Sequence, residues 1–357
     1  MADTTPRKHP PRATKTQDQA AARKVNATTP RHETRGERRA SLRLKRRYPP
    51  IESYGVIGDL QTVALVGLNG SIDFLCLPRF DSPSVFARLL DAERGGRFEI
   101  VPQLGPSRRR QLSLPDTNVL LTRFLAEEGV VEISDFMPVY RDAQPSRIVR
   151  RVKSVRGDVD VVMRCAPRFQ YATALHTVEV CDGGAIIRCE DGETALRLAA
   201  EVPLEVDGDD VVARFRLRRG QHVAFVLEQI EPDAEPARVS RAFVSRAFKE
   251  TVNFWREWVG ASTYRGRWRA EVNRSALVLK MLQSRHSGSI VAAPTFGLPE
   301  RIGGERNWDY RYTWVRDASF TLYALIRLGM TKESKAFIDW LGERFAAMPR
   351  PGELQTV

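Results

Sequence analysis

Between Tyr48 and about Pro236, apolar and polar positions alternate with a period of two. Val159, Val161, Met163 and Cys165 share one face, with Asp158, Asp160 and Arg164 among those opposite. Val211, Ala213, Phe215 and Leu217 repeat the pattern against Arg214, Arg216 and Arg218. This spacing predicts strands with one dry and one wet face. Asp182–Gly183–Gly184, Asp191–Gly192 and Asp207–Gly208–Asp209 interrupt the runs at turn-sized intervals, so the segment is expected to form an antiparallel sandwich. Leu60–Leu68 and Ser71–Leu77 flank Asn69–Gly70, which predicts a hairpin with a type I′ turn, both turn residues accepting positive φ.

After Ala237 the period changes to that of helices. Val239, Phe243, Ala247, Val252 and Trp255 predict one long connecting helix ending near Gly260, over residues 237–262. Within 263–357, a second helix is expected over about Trp268–Gln283, with Val272, Ala276, Leu279 and Leu282 as its buried stripe. A third is expected over Asp317–Leu328, with Phe320, Tyr323 and Ala324 repeating at i, i+3 and i+4 and Gly329 as the stop. The fourth runs from Thr331, its expected N-cap, to Met348, with Phe337, Leu341, Phe345 and Met348 facing inward and Pro349 closing it. Short connections between antiparallel helices suggest an α/α array.

Composition narrows the classes without choosing an activity. Of 357 residues, 42% are apolar and 28% charged, the balance of a soluble enzyme with room for two domains. No apolar run reaches the length of a membrane span, so no membrane partner is expected. Four cysteines without a CxxC pair and five histidines without an HExxH or HxH pair give no reason to expect a metal or cofactor. Cys181 and Cys189 flank one turn and are expected as two reduced, half-buried thiols.

The net charge of +12 lies mostly in one place. Residues 1–47 hold 14 Lys and Arg against four acids, a net of +10 that leaves +2 for the rest. With almost nothing apolar larger than Ala before Leu42, this tail is expected to be disordered. It reads either as an arm for nucleic acid or an anionic surface, or as a solvated extension. The second reading is preferred, because no aromatic residues are interleaved to stack on bases. The tail has no apolar core of a secretory signal, so a cytoplasmic location is expected.

Two stretches carry chemistry. Gly58–Asp59, Asn69–Asp73 and Leu77–Pro83 pack Asp, Arg, Pro and Gly around short strands, as loops of fixed shape do; turn chemistry alone also accounts for them. Gly303–Asp317 is the richer stretch. If extended, it places Trp308, Tyr310, Tyr312 and Trp314 on one face, with Asp309 and Arg311 on the other. Aromatic faces beside Arg and Asp hydrogen-bonders suit a sugar, and Arg316–Asp317 add a donor fork and an acceptor at a helix start. The same pattern suits aromatics packed into a core, with Asp317 as a helix cap. Asp309 and Asp317 are eight residues apart, roughly 12 Å on a helix and more if extended. A glycosidase acid–base pair needs about 5–5.5 Å or about 6.5–9.5 Å.

Asn307–Ala318 resembles the first substrate-binding motif of glycoside hydrolase family 15, the glucoamylases and their trehalase-like relatives. Ile51–Asp59, Gly70–Phe86, Leu114–Leu120 and Asp135–Pro138 are similar to the trehalase-like N-terminal β domain of that group. The resemblance implies a multidomain β + α fold. An antiparallel β-supersandwich over residues 48–236 would be followed by the linker helix, and then by the first helices of an (α/α)6 barrel over 263–357. It implies inverting hydrolysis of an α-glucoside, whether trehalose, maltose or an α-glucan. It also implies that Arg316 and Asp317 bond the outer hydroxyls of the terminal glucose, that Trp314 lines the pocket, and that Tyr310 sits near the developing oxocarbenium ion. In family members both catalytic glutamates lie beyond Leu354–Gln355, so the resemblance assigns no catalytic residue here and implies a C-terminally truncated chain, inactive alone. A non-catalytic carbohydrate-binding or pseudoenzyme fragment with a basic tail is the alternative. Nucleic acid is not an expected partner. Deleting residues 1–47 should therefore leave DNA retention on a filter unchanged at about 50 mM salt, where phosphate contacts are strongest. Retention that disappears with the tail would assign it an anionic partner.

Overall fold

A computed structural model describes residues 48–140, 144–301 and 303–347. The expected disorder of residues 1–47 and the expected roles of Met348 and Pro349 lie outside the described residues. No helix among the described residues is long and apolar enough to cross a membrane.

The strands run β1 (Tyr54–Gly58), β2 (Val63–Gly67), β3 (Ser71–Cys76), β4 (Ser84–Ala87), β5 (Arg97–Pro102), β6 (Arg108–Ser113), β7 (Leu120–Leu125) and β8 (Val130–Phe136). They continue as β9 (Arg147–Arg156), β10 (Val159–Ala166), β11 (His176–Cys181), β12 (Gly184–Cys189), β13 (Ala195–Ala200), β14 (Glu205–Asp207), β15 (Asp210–Leu217) and β16 (His222–Ile230). They form two antiparallel eight-stranded sheets. One has the order β1-β2-β3-β5-β10-β15-β14 with β4 paired to β3; the other has the order β11-β12-β13-β16-β9-β8-β7-β6. The alternating faces meet as expected, with Ile72, Phe98 and Met163 of the first sheet packed with Ile133, Val152 and Phe225 of the second.

Inside this apolar layer lies a charge pair. Arg150 and Asp135 are opposite each other on β9 and β8, both without solvent exposure. Arg150 Nε donates to Asp135 Oδ1 at 2.8 Å and Nη2 to Oδ2 at 3.3 Å. Nη2 also donates to the Gly70 carbonyl at 2.7 Å, and Nη1 to the Phe98 carbonyl. The guanidinium thus reaches across the sandwich to two backbone oxygens of the other sheet.

The β2–β3 connection differs from the type I′ turn expected at Asn69–Gly70. Gly70 is the only turn residue with positive φ, at 82°, and its N–H donates to the Gly67 carbonyl at 2.9 Å. The register slips between Leu65 and Val66, so a longer, bulged loop replaces the two-residue turn. A side chain at Gly70 would also collide with the Ile100 carbonyl, 2.7 Å from its Cβ. Cys181 and Cys189 are both free thiols, Cys181 half-buried as expected and Cys189 fully buried. Cys181 pairs with Gly184 at the turn and Cys189 with His176 at the far end of the β11–β12 ladder.

Four helices follow: α1 (Arg241–Gly260), α2 (Arg269–Met281), α3 (Val315–Arg327) and α4 (Thr331–Ala346). The Ser240 side chain caps α1, accepting from Phe243 N at 3.4 Å. The first half of α1 lies on the outer face of the second sheet through Val244 and Ala247. Its second half packs Trp255 and Val259 against Leu60, Leu277 and Met281. The buried stripe of α2 is Asn273–Ala276–Leu277–Met281, rotated from the expected Val272–Ala276–Leu279–Leu282. The cause is polar: Asn273 Nδ2 donates to Asp116 Oδ1 at 2.8 Å, and Arg274 Nη1 donates to the Thr117 carbonyl at 2.7 Å. On α3 the buried residues are Ala318, Leu322 and Leu325, while Phe320 (72% exposed) and Tyr323 (65%) face outward. On α4, Met330 occupies the N-cap position and Thr331 is the first helical residue; Phe337 and Trp340 are buried and Phe345 is exposed.

Glu333 locks α1, α2 and α4 together. Its carboxylate accepts from Trp258 Nε1 at 2.7 Å and pairs with Lys280 Nζ at 3.0 Å, while its carbonyl accepts from Gln283 Nε2 at 2.9 Å. Burial works against the charge, but Lys280 and Trp258 outweigh it and hold the carboxyl below its usual 4.5. A carboxyl with a lowered folded pKa adds stability above the unfolded value and loses it as pH falls through the folded value. Glu333→Gln should therefore cost about 1–3 kcal/mol at pH 7. In urea titrations repeated at several pH values, that difference should shrink below the unfolded carboxyl pKa; a pH-independent difference would contradict the assignment. Asp135→Ala leaves Arg150 buried and uncompensated, and should cost about 3–5 kcal/mol in the same titration.

Candidate functional site

The segment between α2 and α3 folds back on itself before it reaches the aromatic motif. Ala292 N donates to the Tyr312 carbonyl at 3.1 Å and Ala293 N to the Tyr310 carbonyl at 2.9 Å, a short two-rung pairing. The motif itself is not the extended strand expected from its period. It turns at Tyr310–Arg311, because Asp309 Oδ1 accepts from the Arg311 N–H two residues on, at 3.0 Å.

The turn still sorts the side chains into two groups. Tyr310 and Trp314 stack with ring centroids 5.5 Å apart and an interplanar angle of 18°. Trp308 sets its edge against Trp314 at 6.3 Å, and the Arg316 guanidinium lies 5.7 Å from the Trp314 ring. Tyr310 and Trp314 are half-buried and Trp308 is exposed, so these aromatics form an accessible wall instead of entering a core. Asp317 lies in the first turn of α3, where a carboxylate is favoured by the helix dipole, and pairs with Arg316 at 3.1 Å. The four residues singled out in the sequence, Tyr310, Trp314, Arg316 and Asp317, therefore adjoin one another on one accessible face.

Behind the wall lies Arg311, 6% exposed. Its Nε and Nη2 grip the Asp309 carboxylate at 3.0 and 2.7 Å. Its Nη1 donates to the Ser82 carbonyl at 2.9 Å and the Phe80 carbonyl at 3.4 Å, and contacts Cys76 Sγ at 3.4 Å. Burial disfavours the guanidinium charge, but the Asp309 pairing outweighs it and raises the Arg311 pKa above its usual value. Burial also pushes the Cys76 thiol up to about 11, with Arg311 pulling the other way. The Leu77–Pro83 loop is thus more than turn chemistry, since its carbonyls receive Arg311. Gly58–Asp59 does follow turn chemistry: Asp59 Oδ1 accepts from Gln61 N and Thr62 N, each at 3.1 Å.

One residue at this place left no trace in the sequence pattern. Gln170, Tyr171 and Ala172 carry φ of 50°, 62° and 65°, a left-handed turn of three side-chain-bearing residues. Each such residue costs about 1–2 kcal/mol, and they normally occur singly. Ser84 Oγ accepts from Tyr171 N at 3.1 Å, and Thr173 Oγ1 donates to the Gln170 carbonyl at 2.6 Å. The turn sets the Tyr171 ring edge-on to Phe296 at 5.2 Å, and Phe296 also meets Phe74 at 5.2 Å and Arg311 at 5.4 Å. Burial raises the Tyr171 phenol, while the Arg311 guanidinium beside it lowers it. No glycine or asparagine marks residues 170–172, the usual sign of positive φ. Among the described residues, no group of three His, Cys, Asp or Glu side chains is placed to hold a metal ion.

Comparison with known proteins bears on these observations. The family model "Trehalase-like, N-terminal" matches residues 36–233, and "Glycosyl hydrolases family 15" matches residues 266–354. A trehalase of Mycolicibacterium smegmatis is 34% identical over 328 residues, covering 84% of this chain and 48% of the relative. A trehalase of Thermoplasma volcanium is 34% identical over 296 residues, covering 82% of this chain and 47% of the relative. The chain spans about half the length of the trehalases it matches. A bacterial glucoamylase crystallised with acarbose shares the fold with a TM-score of 0.59 at 11% identity, over 82% of this chain and 49% of that one.

Proposed function

The chain belongs to the family with a trehalase-like N-terminal domain and continues into glycosyl hydrolases family 15, and from that premise we propose that it binds the terminal glucose of an α-glucoside at Tyr310, Trp314, Arg316 and Asp317. The chemistry this reading attaches to the site is inverting hydrolysis of the α-glucosidic bond, with trehalose as the first substrate to test because the relatives above are trehalases. The observation that carries this reading is the accessible Tyr310–Trp314 stack with the Arg316–Asp317 pair beside it. Flat apolar ring faces match the C–H face of a hexose, and a guanidinium next to a carboxylate offers donors and acceptors to adjacent hydroxyls. In this reading Trp314 lines the pocket, Arg316 and Asp317 hold the outer hydroxyls, and Tyr310 lies near the carbon that gains positive charge.

Hydrolysis needs one carboxylic acid to protonate the leaving oxygen and a second carboxylate to activate water. The two motif carboxylates are both engaged, Asp309 by Arg311 and Asp317 by Arg316. Their role in this reading is to shape the site and read hydroxyls, and residues 48–347 are assigned substrate recognition without turnover.

Equilibrium titration of the full chain with trehalose and maltose tests the reading. Binding should be weak, about millimolar, and Asp317→Ala should weaken it at least about tenfold, the equivalent of one hydrogen bond to a charged group. Incubation with trehalose, maltose or starch should release no glucose. Equal affinity in Asp317→Ala would remove the assigned role, and steady glucose release in proportion to protein would show an acid–base pair that this reading does not contain.

A further inference from the structure

We propose that Tyr171 and Arg311 are positioning residues, through which the β-rich half of the chain sets the placement of the Tyr310–Trp314 wall. The proposal rests on reading that wall as a sugar site, and its test separates the two.

The argument begins with two costs at one spot. A guanidinium is removed from water at Arg311, 6% exposed, and three side-chain-bearing residues are held left-handed at 170–172. Simple packing between the β-rich half and the helices requires neither, because apolar contacts such as Leu60 and Trp255 with Leu277 already join them. Backbone strain persists where its surroundings over-determine it, and strained segments collect at binding sites.

Both features converge behind the wall. Tyr171 lies edge-on to Phe296 at 5.2 Å with its phenol beside the Arg311 guanidinium, and Phe296 lies 5.4 Å from Arg311. Arg311 is fixed on one side by the Phe80 and Ser82 carbonyls of the loop after β3. On its other side it clamps Asp309, whose main-chain carbonyl accepts from Trp314 Nε1 at 3.4 Å. Trp314 in turn stacks on Tyr310 and carries Arg316 over its ring. A connected path therefore runs from Ser84, through the left-handed turn, Phe296, Arg311 and Asp309, to the aromatic wall. None of its β-domain members belongs to the constellation assigned to glucose.

The test uses the full chain labelled with 5-fluorotryptophan. Its six tryptophans give six fluorine signals, assigned by single Trp→Phe substitutions. In Tyr171→Phe and in Arg311→Met, the Trp308 and Trp314 signals should move while those of Trp255 and Trp340 stay. Trehalose affinity should fall about threefold in Tyr171→Phe and at least about tenfold in Arg311→Met. Arg311→Lys, which keeps the charge without the bidentate fork, should fall between Arg311→Met and the unsubstituted chain. A merely structural role would lower the melting temperature without moving the Trp314 signal or the affinity. Unmoved Trp314 signals in both Tyr171→Phe and Arg311→Met would overturn the proposal, and so would moved signals with unchanged affinity. If Arg311→Met fails to fold, Tyr171→Phe, which removes one oxygen, decides alone. If the unsubstituted chain binds no α-glucoside, the sugar-site reading falls, and the fluorine signals still decide whether Tyr171 and Arg311 hold the wall.

Discussion

A charge buried between two sheets constrains everything around it. Arg150 cannot be hydrated, so its N–H groups must all find oxygens, and those oxygens come from Asp135 beside it and from the Gly70 and Phe98 carbonyls across the sandwich. These directional bonds tie the two sheets together at one point, whereas apolar side chains alone tolerate sliding. Burying the pair carries a desolvation cost that its attraction and hydrogen bonds offset, while removing one partner leaves the other uncompensated. Its reach extends further, because Gly70 ends the loop that feeds β3, and β3 leads directly into the Leu77–Pro83 loop.

That loop receives the second buried guanidinium. Arg311 repeats the logic of Arg150, with a carboxylate neighbour on its own segment and backbone carbonyls on a distant one. The two arginines divide the labour. Arg150 joins sheet to sheet, and Arg311 joins the finished sandwich to the segment that carries the aromatic wall. Glu333 performs a similar service among the helices, with Trp258 and Lys280 as its partners.

Much of this was legible in the sequence, in proportion to how local each signal was. Alternation at Val159–Cys165 and Val211–Leu217 marked strands that pair directly as β10 and β15. Of the four aromatics expected on one face, Trp308, Tyr310 and Trp314 do gather, through ring contacts across a turn and not along a strand, while Tyr312 makes no ring contact with them. Helix faces were less legible. Hydrophobicity placed Val272 and Leu279 inward on α2, yet the hydrogen bond from Asn273 to Asp116 rotated the helix, and no apolar count can register a polar partner 157 residues away. Phe320 and Tyr323 were spaced as a core stripe, but it is Ala318 and Leu322 that meet α4 through Phe337 and Trp340, with Leu325 also buried. Tyr171 gave no signal at all: Gln, Tyr and Ala carry no preference for positive φ, and the conformation is imposed from Ser84, 87 positions earlier.

This imposed conformation affects the order in which the molecule assembles. A left-handed turn without glycine carries a local backbone penalty that the Thr173–Gln170 bond only partly offsets, so it is a poor early nucleus and forms after the strand bearing Ser84 is in place. Contacts made after the transition state govern how fast a structure comes apart more than how fast it forms. The turn at 170–172 is therefore expected among the last parts to close and the first to open, by local fluctuation well short of global unfolding. Amide hydrogens around Tyr171 would then exchange on a shorter timescale than those of β9, and the back of the aromatic wall would loosen while the sandwich stays intact.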